Sequence, residues 1–112
     1  MLFRSMAQIV HDVAPGADLC FATAYNAETD FADNIRALRT DAACNADVIV
    51  DDIIYYSEPM FSDGLIAQAA DDVVTSTVLA GKPVAYFSSA GNRGRAYTSH
   101  VRIIPEIGRA HV

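Results

Sequence analysis

A chain of 112 residues, 52% hydrophobic and 20% charged, has enough apolar material for one globular domain with a modest core, which excludes a disordered segment. Its formal net charge of −6 and pI near 4.7, with the acids scattered as Asp pairs and no basic stripe beside them, exclude a nucleic-acid surface. No apolar run approaches the roughly 20 residues needed to span a bilayer.

In chain order, Met6, Ile9, Val10 and Val13 form a helical apolar stripe that stops at Ala14-Pro15-Gly16. Asp18–Thr23 reads as a short strand. Thr29 or Asp30 is positioned to cap a second helix, in which Phe31, Ile35 and Leu38 fall at helical spacing. Ala46–Val50 is β-branched and continuously apolar, as central parallel strands are. A third helix starts near Asp63-Gly64, carries Leu65, Ile66, Ala69, Ala70, Val73 and Val74 on one face, and ends near Ala80-Gly81. Val84–Ser88 is the third strand. This alternation predicts an α/β domain, a parallel sheet with flanking helices in three layers. Cys20 in a strand and Cys44 in a loop are expected to be buried free thiols, with a disulfide only where the fold brings them close.

Ligands of such sheets bind beyond the carboxyl ends of the strands, where Asp51-Asp52 and Ser88–Asn92 fall. The segment GKPVAYFSSAGNRG, Gly81 to Gly94, runs from a buried strand into small residues and then Ala90-Gly91-Asn92. A glycine permits close backbone approach, and the amide that follows offers a neutral N–H donor. Such a donor stabilises the oxyanion formed when a nucleophile attacks a peptide carbonyl, with no reorganisation cost. An aspartate there would repel the charge.

Ala90-Gly91-Asn92 resembles the oxyanion-hole segment of subtilisin-like serine peptidases. MAQIVHDVAPGADL resembles the helix behind that family's catalytic histidine with its "VAP" turn, and ADVIVDDI stands where the family has its substrate-binding strand. The likeness is collinear over residues 6–97. It implies a partial subtilisin-like fold acting on peptide or protein substrates, with Asn92 as the catalytic oxyanion donor. It places Asp52, Ile53, Ile54, Ser88, Ser89, Ala90 and Gly91 in the substrate cleft. Asp52, Ile53 and Ile54 replace the family's usual Ser-Leu-Gly, which puts specificity, though not strand-type pairing, in question. Asn92 and Met6 follow the subtilisin pattern; the sedolisin branch carries carboxylates at both places. The family's histidine would align with Leu2, and its aspartate and serine belong to strands and helices outside this chain. The chain alone is therefore expected to be inactive. No cofactor is identifiable and no metal ligands are assigned; calcium is possible in the intact enzyme, whose secretion is plausible.

Both ends carry a second signature. MLFRS, Met1–Ser5, is what ATGCTCTTCCGATCT encodes, and EIGRAHV, Glu106–Val112, is one frame of the complementary sequencing-adapter sequence. The expectation is that residues 1–5 and 106–112 derive from an adapter and that residues 6–105 are an interior piece of a longer gene.

Other chemistry-bearing residues read more plainly. His11 and Asp12 are adjacent, so on a helix their side chains diverge by about 100° and cannot act as a base and its orienter. Neither Ser88 nor Ser89 sits in a G-x-S-x-G elbow. The alternative functional class is a receiver-like phosphoacceptor domain, in which clustered carboxylates after VIVDD would hold Mg²⁺ and Lys82 would sense the phosphoryl group. A third is a non-catalytic α/β interaction module.

Overall fold

The computed structural model describes residues 2–59, 61–75 and 81–89. Three helices and two strands follow one another as α1 Leu2–Val13, α2 Glu28–Thr40, β1 Val48–Asp51, α3 Leu65–Thr75 and β2 Ala85–Ser88. The strands pair in parallel with Val48 opposite Ala85, Ile49 opposite Tyr86, Val50 opposite Phe87 and Asp51 opposite Ser88. Parallel neighbours need a crossover, and α3 supplies it.

The core is the meeting of α2, α3 and one face of this sheet. Phe31, Ala32 and Ile35 from α2, Ala69 and Val73 from α3, Ile49 from β1 and Val84 at the entry to β2 form a single buried cluster. Their spacing within each helix gives one apolar stripe per element. Burying a side chain such as Ile35 or Val73, both with essentially no exposure, contributes about 1.5–3 kcal/mol. Side chains alternate along a strand, so Ile49 and Tyr86 turn toward the helices while Val48, Val50 and Phe87 turn away and stay exposed. Among the described residues the architecture is mixed α/β, with α2 and α3 covering one sheet face.

Local expectations fared unevenly. α2 begins at Glu28, and neither Thr29 nor Asp30 caps it; Ala27 occupies the N-cap in extended conformation with no side-chain bond. Glu28 and Asp30 lie in the first turn instead, where carboxylates offset the positive end of the helix dipole. Beyond the helix, Asn45 takes φ 42°, a left-handed conformation that asparagine tolerates better than most residues. Its N–H donates to the Asp41 carbonyl at 2.7 Å. α1 starts ahead of the Met6–Val13 stripe, running unbroken from Leu2 to Val13.

Two expectations are corrected. Asp18–Thr23 is not a strand; Leu19 and Phe21 are exposed, and the Thr23 carbonyl accepts the Asn34 side-chain amide at 2.8 Å in place of a ladder partner. Cys20 and Cys44 are not buried free thiols but form a disulfide with Cα atoms 5.8 Å apart, a normal separation for such a bridge. The fold brings them together because they flank α2, one before its start and one after its C-terminal turn. α3 ends within the described residues at Thr75, and residues 76–80 lie outside them.

Candidate functional site

Both strands point their carboxyl ends the same way, and the register sets Asp51 beside Ser88 at that end. The pairing continues one step further, with the Ser89 N–H donating to the Asp51 carbonyl at 3.2 Å. On the helix-covered face the two tips are joined through one carboxylate. Ser88 Oγ donates to Asp51 Oδ1 at 2.8 Å, and the Tyr86 hydroxyl donates to Asp51 Oδ2. Burial pushes the Tyr86 phenol far above its ordinary range, and the hydrogen bond and negative charge of Asp51 push it further in the same direction. Tyr86 therefore stays protonated and keeps donating. With each Asp51 oxygen engaged by a hydroxyl, this carboxylate acts as a staple between strands. Among the described residues no histidine stands beside Ser88 to activate it as a nucleophile.

Beyond Asp51 the chain runs through Asp52, Ile53 and Ile54 outside any regular element. Asp52 is exposed, Ile53 packs against the core cluster, and Ile54 is 45% exposed. The far end of this strap is anchored through Tyr55, Ser57 and Glu58. Tyr55 stacks on Phe31 with centroids 5.9 Å apart and donates its hydroxyl to the Ala24 carbonyl. Ser57 Oγ donates to Glu28 Oε1. Glu58 Oε1 accepts the Ala67 N–H at 3.0 Å, satisfying one of the open donors in the first turn of α3. Gly64 makes that last contact possible, because a Cβ there would overlap the Glu58 carboxylate and come within 2.6 Å of Pro59 Cδ.

Of the expected site residues, the fold brings Asp52, Ile53, Ile54, Ser88 and Ser89 to one end of the sheet. Ala90, Gly91 and Asn92 lie outside the described residues. Lys82 goes to the opposite end, where its ammonium pairs with Asp47, next to the Val48–Ala85 pair that starts the ladder. The fold therefore separates the acid pair from the lysine that a receiver-like site needs. Among the described residues no group of three or more His, Cys, Asp or Glu side chains is placed to hold a metal ion, and no helix is long and apolar enough to cross a membrane.

Sequence reasoning missed four residues that shape this end of the molecule: Asp51 as a staple, Tyr86 as its buried donor, Tyr55 as the anchor of the strap, and Glu58 as the cap of α3. Only Tyr86 had a readable signal, since it lies two residues before Ser88 and so shares its face. The sequence matches no protein-family model, and no curated protein or solved structure is significantly similar to it.

Proposed function

We propose that this chain is part of the catalytic domain of a subtilisin-like serine endopeptidase, contributing a piece of the central sheet, the substrate-binding strap and the oxyanion donor. The observation that carries the reading is the register of Asp51 against Ser88. It puts the Asp52–Ile54 strap and Ser88-Ser89, which Ala90-Gly91-Asn92 follow in sequence, at the same end of a parallel sheet, where ligands of α/β folds bind.

In the working enzyme the roles divide as follows. An extended substrate peptide adds alongside Asp52–Ile54 through main-chain hydrogen bonds, which give affinity with little side-chain selectivity. Ser88, Ser89, Ala90 and Gly91 line the pocket next to the scissile bond. The Asn92 carboxamide donates to the carbonyl oxygen as it becomes an anion. Nucleophile, base and orienting carboxylate come from parts of the parent protein outside this chain, and a second helical layer covers the outer sheet face to complete a three-layer fold. Alone, the chain binds peptide weakly and hydrolyses nothing, because an oxyanion donor without a nucleophile has no intermediate to stabilise.

The decisive experiment is Asn92→Ala in the complete enzyme encoded by the flanking gene. Loss of one oxyanion donor lowers turnover by about 10² to 10³, a magnitude known for subtilisin itself, while KM changes little. Unchanged turnover would remove Asn92 from the mechanism, and a complete protein that hydrolyses no peptide would remove the peptidase reading.

A further inference from the structure

The disulfide and the strap meet on the same short segment. Residues 20–27, between Cys20 and the start of α2, carry no regular secondary structure, and Phe21 and Tyr25 are exposed, Tyr25 by 89%. A segment with so little buried apolar surface has low local stability of its own. The contacts that hold it include the Cys20–Cys44 bridge, the Asn34 amide on the Thr23 carbonyl at 2.8 Å, the packing of Ala24 against the core, and the Tyr55 hydroxyl on the Ala24 carbonyl. That last contact is also the first anchor of the strap. The second, Ser57 on Glu28, is made where this segment enters α2. The stacking of Tyr55 on Phe31 and the Glu58 contact with Ala67 are independent of it.

We infer that the Cys20–Cys44 disulfide is a redox-sensitive clamp that holds the Asp52–Glu58 strap in its peptide-accepting position by fixing the segment to which Tyr55 is tied. Cys20 is exposed and Cys44 half-buried, so the bridge is within reach of a dithiol reductant. Such a reductant supplies two electrons and two protons: the S–S bond breaks, both cysteines become thiols, and the reductant closes to its own disulfide. The segment before α2 then loses its covalent tether, and the Tyr55 hydroxyl loses a fixed acceptor in the Ala24 carbonyl. The core of α2, α3 and the sheet contains neither cysteine and keeps its packing. The coupling stands on these contacts alone; its consequence, that reduction weakens peptide capture, rests on the peptidase reading.

The test is limited proteolysis followed by mass spectrometry. The oxidised chain is compared with the chain reduced, carbamidomethylated and freed of reductant, using added chymotrypsin. Cleavage after Tyr55 and Tyr56 rises roughly tenfold on reduction, while cleavage after Leu38, inside α2, changes less than about twofold. Tyr55→Phe, with the disulfide intact, reproduces the faster cleavage after Tyr56. Equal cleavage of the strap in both redox states overturns the clamp. So does a uniform rise that includes Leu38, which would make the bridge a support of the whole fold, and so does slow cleavage in Tyr55→Phe. None of these outcomes bears on Asn92, so failure of the clamp and failure of the peptidase reading are separately visible.

Discussion

The two faces of the sheet are built from the same kind of residue and live in different surroundings. Toward the helices, Ile49 is 4% exposed and Tyr86 packs on the core; away from them, Val48, Val50 and Phe87 are 58%, 56% and 61% exposed. Continuously apolar strands are what a parallel sheet needs when both of its faces are covered, so the sequence of β1 and β2 is written for more burial than the described residues provide. α1 has the same character, with Ile9 at 64% and Val13 at 82% exposure on its apolar stripe. Amphipathic pattern alone therefore specifies which surfaces want a partner, and packing decides which of them find one.

Substitutions that contrast the two faces test this directly. The largest effect is expected at Ile35→Ala on the covered side, about 2–5 kcal/mol in denaturant unfolding, against Val50→Ala on the open side, within about 0.5 kcal/mol. If Val50→Ala costs as much as Ile35→Ala, the outer face is buried in solution by a layer or a partner. Phe87→Ser should leave stability nearly unchanged and lower the binding of a hydrophobic dye, since exposed apolar patches are what such dyes and aggregation report. Next in size is Gly64→Ala, where the added Cβ displaces the Glu58 cap; a loss of about 1–3 kcal/mol is expected. An unaffected midpoint would show that the strap's third anchor does not exist.

Tyr86→Phe removes one of the two donors to Asp51 and is expected to cost about 1–2 kcal/mol. It also carries a pH signature. The folded phenol binds its proton more tightly than the unfolded one, whose ordinary value is 10.0. The resulting stability is fully present below that pH and is lost as pH rises above it and toward the folded value, because the unfolded state releases the proton first. Wild type should thus lose stability above about pH 10 more steeply than the phenylalanine variant; parallel pH profiles would place Tyr86 in water. The smallest effect belongs to Lys82→Ala, whose exposed pairing with Asp47 is worth less than about 1 kcal/mol in thermal unfolding.

The sequence made the covered side readable and the strap nearly opaque. Phe31, Ile35, Ala69 and Val73 announce themselves through the 3.6-residue period, and Val48–Val50 and Ala85–Phe87 through apolar continuity. Asp18–Thr23 misled because Leu19, Cys20 and Phe21 look like a strand, while the disulfide and two side-chain donors to the Thr23 and Ala24 carbonyls hold the segment outside the sheet. Glu58 was hidden because it caps α3 from seven residues before Leu65, through a loop, at a distance in sequence that no capping pattern covers. At the site, strand polarity anticipated the placing of Asp51-Asp52 and the Ser88-Ser89 tip at one end of the sheet.

One carbonyl group has consequences beyond its position. The Val73 oxygen accepts both the Val84 N–H at 2.9 Å and the buried Arg39 guanidinium at 3.1 Å, and Arg39 also reaches the Asp72 carbonyl at 2.9 Å. A single acceptor, using two lone pairs, thereby knots α2, α3 and the entry to β2. None of the three can detach without stranding a buried polar group of another, so they should melt as one cooperative block, and α1, which shares none of these bonds, should fray long before it.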